Sequence, residues 1–470
     1  MLFDVICGAI MVTVSGLIIR WYGLRSLPAF AVLVFSVGFI VRVFMLSHYG
    51  IKRVFRVLYI DSDMTQTMLW IATMGILTMC VGIMFGARRP LKTEAKSPSK
   101  SVYRPGLLYA AFAATLLFQA WSLSRTLGGG AAALEALSRR SFTGESIGFA
   151  ANLTFAAIPL ALFGIVTARR SGRSGLERFG ILLFLLALPL LSVINGRSVV
   201  VTALWAFAIA LFIESRQRLR LIATIVAAGA IVAASVVGLA WRQSAQTGLP
   251  FGQHLRTEWK DVALTVSDAI PLFDHLRVGM QYVAQAGHDH GMSLPTALTV
   301  IVPRSAWPGK PQYMPQILAD RVLGNDVSGL PAGLLGEGWI AGGWIGVIAY
   351  AIAFGFIVGL AHRHIKTAER LTPGIAWLVF VSTSFIMGGL RTGAQGGLIT
   401  IMVALLFLPV VLMAAKFAER PAVRTLRTTD PHPVAAARAG SDESKRSGDL
   451  SAVAVLTRRP GRIPSPKTTP

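Results

Sequence analysis

Arginine dominates the chemistry this chain could perform. Arg197 follows Asn195-Gly196 in a tight hairpin between two apolar runs, and Arg391 lies in the glycine-rich stretch GGLRTGAQGG (388–397). Arg242 closes another apolar run in WRQS, and Arg304 stands in LTVIVPRSAWPGKPQYMP (298–315) with Trp307, Lys310 and Tyr313. A guanidinium presents a planar fork that matches phosphate oxygens, and an ammonium adds a point charge. Pro303, Pro308, Pro311 and Pro315 stiffen this last segment by fixing φ and removing donors. An arginine near hydrocarbon is costly unless it is paired or hydrated. Arginines gathered at several such places therefore predict an anionic substrate.

Acid–base candidates are fewer. Glu337 lies among glycines in LPAGLLGEGWIAGGWIGV (330–347). Partial desolvation suits it to act as a general base or as a ligand for a sugar hydroxyl; a charge favoured by a helix dipole is the competing reading. Asp268 and His275 are further candidate bases. Asp61-Ser62-Asp63 matches the DxD pattern that holds a divalent ion, but Asp63 directly before an apolar run reads better as a helix N-cap. His288-Asp289-His290 lacks the separated carboxylate or thiol that would complete a metal site, so a solvated loop is the better reading. There is no GxxxxGK[ST] phosphate loop, no HExxH and no Gly-x-Ser-x-Gly elbow. No metal and no cofactor is expected.

The elements that must position these residues follow from composition. Hydrophobic residues make up 54% of the 470-residue chain and charged residues 14%, with a mean hydropathy of +0.61. A soluble domain needs more polar surface than this, so the fold class is an all-α polytopic membrane protein. The net charge of +23 sits largely in short loops and a tail, which points to topology and anionic lipid rather than nucleic acid. Cys7 and Cys80 both fall in apolar runs and give neither a disulfide framework nor metal-ligand spacing. The first run lacks a basic flank and a small-residue cleavage site, so it reads as a span and not as a cleaved signal peptide.

A helical span needs roughly 20 apolar residues, and about eleven can be drawn. They lie near 2–19, 27–46, 64–86, 105–122, 147–168, 179–195, 198–213, 221–240, 339–361, 374–390 and 397–415. Basic segments at 87–104, 168–178, 214–220 and 362–370 fall on one side if these spans alternate. Assigning that side to the cytoplasm places the N-terminus outside and the C-terminus inside. The outer face then carries Arg197, Arg242, Arg304 and Arg391, with a large periplasmic loop at 241–338 in which short helices lying on the membrane surface are expected. The membrane domain is residues 1–415. Residues 416–470 form a basic cytoplasmic tail whose composition predicts disorder.

This layout resembles the Wzy-type O-antigen and exopolysaccharide repeat-unit polymerases. The resemblance rests on Asn195-Gly196-Arg197 before a span, on Pro303-Arg304-Ser305-Ala306-Trp307-Pro308-Gly309-Lys310-Pro311 late in the large loop, on Gly336-Glu337-Gly338-Trp339 through Gly346, and on Arg391 in its glycine-rich turn. It spans most of the membrane domain as a layout, excludes the basic tail, and rests locally on short motifs. It implies a bacterial inner-membrane glycosyltransferase acting on undecaprenyl-pyrophosphate-linked glycans, with a chain-length regulator and a flippase as candidate partners besides membrane lipids. In such an enzyme, Arg304 and Arg197 would hold the pyrophosphate and Glu337 would be the base. Arg242, Arg391, Lys310 and Trp307 would bind pyrophosphate or glycan.

Three other readings compete. An O-antigen ligase uses the same donor chemistry but transfers finished glycan to lipid A. A lipid or polysaccharide transporter needs a charged route across the bilayer, for which Arg42 inside the second span is the main candidate. A noncatalytic scaffold for polysaccharide export would need none of these residues for product formation.

Overall fold

The computed structural model describes residues 2–51, 53–54, 58–88, 105–126, 158, 160–169, 172–195, 202–209, 247–267, 270–299, 307–324, 330–367, 373–402 and 404–405, with scattered single positions between 129 and 244. Among these residues the protein is predominantly helical. Five helices are long and apolar enough to cross a membrane. They are α1 (Leu2–Tyr22), α2 (Leu27–His48), α3 (Ser62–Ala87), the long element Gly333–Lys366 and the helix Pro373–Thr392. The fourth and sixth expected spans correspond to α4 (Pro105–Thr126) and α5 (Ser174–Asn195). Half of the seventh, 202–209, is described and helical; the eighth falls largely outside the described residues, and the basic tail wholly so.

Helix boundaries follow local chemistry. Ser26 caps α2, its hydroxyl accepting from the Ala29 amide at 3.1 Å, with Pro28 in the first turn. Within α2 one π-helical turn, Val37–Val41, precedes Arg42. α3 begins earlier than expected. Its N-cap is Asp61, which accepts from the Met64 amide at 2.7 Å, while Asp63 occupies the first turn. An Asp at the cap position satisfies an otherwise orphan amide, so this pair of aspartates has a structural task. Between α2 and α3 lies a minimal antiparallel hairpin, β1 (Arg53–Val54) and β2 (Leu58–Tyr59), pairing Arg53 with Tyr59 and Val54 with Leu58.

The large loop does contain short helices: Phe251–Lys260, Val262–Ser267, α6 (Leu272–Ala286), α7 (Ser293–Leu298) and α8 (Met314–Leu323). One of them, α6, is buried along its first half. Residues Leu272 through Gly279 of α6 are buried without interruption, because α6 inserts against the long element that follows. Gly279 and Gly336 meet backbone to backbone there, at a distance only glycine permits. Arg277 ties the same helix to the hairpin, donating from Nε to the Tyr59 carbonyl at 3.1 Å.

That long element, α9 (Gly333–Lys366), is two helices. Gly342 and Gly343 leave helical geometry, with Gly343 at φ 60° and ψ −134°, a conformation that glycine tolerates and other residues resist. Gly338 and Gly346 then come into direct backbone contact across the bend. In a straight helix eight residues separate such positions by about 12 Å. The first limb, 333–341, is therefore folded back along the second, 344–366. The expected ninth span, 339–361, crosses this bend, and its continuous part begins at 344.

The second limb packs on α3 through two glycine pairs. Gly82 lies against the Ile352 carbonyl and Gly86 against that of Phe356, while Gly355 and Gly359 face the carbonyls of Met79 and Ile83. Small residues four apart on both helices let the backbones approach closely, the usual device for helix pairing in lipid. Residue numbers rise together along this contact, so the two helices run parallel.

Candidate functional site

The site is built around a second break. α10 (Pro373–Thr392) carries Arg391 in its last turn and ends at Gly393, where φ is +94°. A further helical stretch, 394–402, then folds back along α10, bringing Gly397 against Gly389 and Thr400 against Gly388. The glycine-rich turn expected here narrows to the single residue Gly393.

Glu337, on the first limb of α9, points at this break. It is 1% exposed. Its Oε2 accepts from the Gln395 amide at 3.1 Å, and the Ala394 amide donates to the same carboxyl. Two amides at the start of a helix form a natural carboxylate site. Glu337 therefore caps a helix that begins more than fifty residues later in the chain. Its carboxyl group serves the helix 394–402 and not the first turn of its own.

His275 approaches from the other side. It lies on α6, is 2% exposed, and bonds the backbone carbonyl of Arg391. Burial, reinforced by the Arg391 charge and then by Arg42, pushes the imidazole down to about 3 from its ordinary 6.5, against the opposing effect of that bond. The ring is neutral at neutral pH. Gly333 fits between, with its α-carbon face close to the Leu390 carbonyl and to His275 Cβ. Arg391, His275 and Glu337 thus meet around one helix break, with α6 and the α9 bend as the scaffold.

Asp274, the neighbour of His275, fixes α6 in place. Arg42 grips it with both ends of the fork, Nε to Oδ1 at 3.1 Å and Nη2 to Oδ2 at 2.7 Å. Arg42 Nη1 also donates to Ser267 Oγ at 3.3 Å. Both partners are buried. Arg42 is thus bound inside the protein, where a translocation route would need it facing a passing substrate.

The cluster is deep. The Leu335 side chain packs on Gly75, which is midway along α3, about 18–20 Å from either end at 1.5 Å per residue. Gly389 packs on the Phe354 ring, about 18 Å from the far end of α9 on the same rise. Beside it a small apolar cavity of about 10 Å³ is lined by Phe35, Phe39, Leu272, Leu334, Leu335 and Leu390, room for roughly one water.

Other expected site residues are placed differently. Lys310 is buried, and its Nζ lies 4.8 Å from the centre of the Tyr313 ring, so it is held in a cation–π contact and does not swing freely. Trp307 is exposed. His288 and Asp289 stitch their loop to the α9 bend: His288 Nδ1 pairs with the Trp339 carbonyl at 2.9 Å, and the Asp289 amide donates to Ile340 O at 2.9 Å. Among the described residues no group of three or more His, Cys, Asp or Glu is placed to hold a metal. Arg197, Arg242, Arg304 and Asp268 lie outside the described residues.

Sequence reasoning did not select Gln395, whose amide donates to Glu337, or Ser293 and Thr296, which hold the Gln395 side chain. Gln395 Nε2 donates to Thr296 Oγ1 at 2.6 Å and to the Ser293 carbonyl at 3.3 Å. A glutamine in an otherwise apolar, glycine-rich run was the available signal. No protein-family model matches the chain, and no curated protein or solved structure does either.

Proposed function

We propose that the protein is a glycosyltransferase of the bacterial inner membrane that polymerises undecaprenyl-pyrophosphate-linked repeat units at the periplasmic face, without a metal ion. A hydroxyl of the acceptor attacks the anomeric carbon of the donor glycan. The bond from that carbon to the pyrophosphate oxygen breaks, the pyrophosphate leaves as an anion, and the hydroxyl proton passes to a base. Such a leaving group needs charge stabilisation more than protonation, and preorganised arginines supply it best where water is excluded. Arg304 and Arg197 take the pyrophosphate, with Arg242, Arg391 and Lys310 supporting and Trp307 against the glycan. Glu337 is the base.

The observation that carries this reading is the convergence of Arg391, His275 and Glu337 on one recessed helix break, from three separate stretches of sequence. A cation beside a carboxyl group able to take a proton, away from bulk water, is the arrangement the reaction requires. Because Glu337 caps the helix 394–402 and is buried, the reading also requires α7 to lift from Gln395 when the acceptor enters. The internal pairing of Arg42 with Asp274 speaks against transport as the alternative.

The test is a deletion strain whose lipid-linked and surface glycans are compared by mass spectrometry and gel. Glycans that stop at one repeat unit support the polymerase. Long lipid-linked polymer that never reaches its final acceptor makes the protein a ligase. With polymerisation lost in the deletion, complementation by Arg391→Ala should fail, and Arg391→Lys should restore only part of the product because it keeps the charge without the fork.

A further inference from the structure

Three helices end together where the α3–α9 seam runs out. Gly86 touches Gly359, and Arg88 caps α3 two residues later. α1 runs alongside α3 in the same direction. Near its start Phe3 meets Trp70, with ring centroids 5.5 Å apart, and at its end Tyr22 lies within electrostatic reach of Arg88. Tyr22 also meets the His362 ring edge-on, with centroids 5.3 Å apart. His362 and Arg363 stand three and four residues beyond Gly359, so both continue the face of α9 that meets α3. Lys366, one turn further, is within electrostatic reach of His362. The ends of α1, α3 and α9 thus bring Tyr22, Arg88, His362, Arg363 and Lys366 around one place.

The charge there has one sign. Arg88, Arg363 and Lys366 form no ion pair among the described residues. Helix C-termini favour cations, which accounts for basic side chains that reach water or the last carbonyls. It does not account for two nitrogens that reach neither. His362 is 7% exposed, and its Nε2 is buried without a hydrogen-bond partner, as is Nε of Arg363. A snorkelling arginine would carry its head group into water. A buried N–H without an acceptor is costly, and an anionic oxygen removes that cost. Arg363 as a whole is only half-buried, and Arg88 and Lys366 are exposed at the rim, so an anion can approach from outside the bundle. A guanidinium edge, an imidazole N–H and an ammonium together suit the several oxygens of a phosphate. Basic pockets between membrane helices bind lipid headgroups in this way.

We propose that His362 and Arg363, with Arg88 and Lys366 at the rim, bind one phosphate group, that of an anionic lipid headgroup, and that this lipid holds the ends of α1, α3 and α9 together. The site does not depend on the glycosyl-transfer reading.

The experiment is thermal unfolding of the purified full-length protein in a neutral detergent at fixed pH and ionic strength. It is titrated with phosphatidylglycerol, with phosphatidylcholine of the same chains, or with inorganic phosphate. A saturable rise in Tm with phosphatidylglycerol alone is expected. Arg363→Gln and His362→Phe should each raise its half-saturating concentration about ten-fold, equivalent to about 1.4 kcal/mol. His362→Phe keeps a ring against Tyr22 and removes a nitrogen that has no partner, so its lipid-free Tm should match or exceed the wild type. Arg173 is an exposed basic residue before α5, and Arg173→Gln should leave the half-saturation unchanged. An equal rise with phosphatidylcholine overturns the proposal, because the chains then suffice. So does an equal shift from Arg173→Gln, because any surface charge then serves, or a half-saturation that Arg363→Gln and His362→Phe both leave unchanged. A rise with inorganic phosphate that Arg363→Gln weakens overturns the lipid as the source and assigns a free phosphate to the same residues.

Discussion

Glu337 and Gly393 are in direct contact: a β-carbon at Gly393 would overlap the Glu337 carboxyl group. The carboxylate can reach the Gln395 and Ala394 amides only because nothing projects from the residue before them. Three features depend on one another here. The positive φ of Gly393 ends α10, the missing side chain admits Glu337, and the carboxylate satisfies the helix that starts again. Arg391 is positioned by the same arrangement, two residues before the break.

Gly393→Ala should therefore be strongly destabilising. It forces an L-residue to φ +94°, at a cost of about 1–3 kcal/mol, and adds overpacking of about 1–3 kcal/mol. Glu337→Gln keeps an acceptor for both amides and should cost far less than Glu337→Ala, which leaves them orphaned in a buried place. Gly106→Ala, in open space, is the control. Thermal unfolding of detergent-purified variants orders the four; a Gly393→Ala protein as stable as the control would remove the interlock.

Arg42 and Asp274 should behave as one unit. Removing either partner leaves a buried charge, so Arg42→Ala or Asp274→Ala is expected to lose roughly 3–5 kcal/mol. Replacing both with apolar residues of similar volume should recover much of that loss. A double-mutant cycle measures the coupling, and additive single effects would show that the bidentate contact at 2.7 and 3.1 Å contributes little.

The sequence made these features legible to different degrees. Apolar length alone placed α1, α2, α3 and α10 to within a few residues, because a span must be long, apolar and helical. Charged residues inside apolar runs were visible too, and Arg42 stood out. Its partner did not, since Asp274 is 232 residues away and pairing at that range is settled by packing. Glu337 was legible as a residue with a purpose, but its neighbours were not: periodicity gives no sign that 333–341 folds back on 344–366. Gly342-Gly343 was readable only as a glycine pair. In the same way, Asp63 looked like the cap of α3, and one more half-turn of helix gave that role to Asp61.

The motifs GIMFG (82–86) and GFIVG (355–359) were the overlooked signal. Each places two glycines four apart on an apolar helix, and the structure mates them. Gly82→Leu or Gly355→Leu should separate α3 from α9, because the added side chain must displace a carbonyl of the facing backbone and not the mobile end of a side chain. Gly8→Leu, where nothing lies within 4 Å, should be tolerated. Yield of monodisperse protein by size-exclusion chromatography distinguishes them, and equal yields would mean that this pairing is not what holds the bundle together.

His275 should give the protein an acid limb. The buried ring titrates near 3 when folded, against an ordinary value of 6.5, so between those values the unfolded chain binds a proton that the folded chain does not. Stability therefore rises with pH through this window and falls on acidification below about 6.5, with a slope approaching 1.4 kcal/mol per pH unit for this one group. Above that range the contribution is constant. Burial is the main cause, and Arg391 and Arg42 both oppose a further positive charge, so higher salt should soften the slope only slightly. His275→Asn keeps a donor for the Arg391 carbonyl but cannot titrate. Its Tm between pH 7 and pH 5 should fall less than that of the wild type; parallel curves would show that His275 gains its proton without cost and is not held neutral against Arg391.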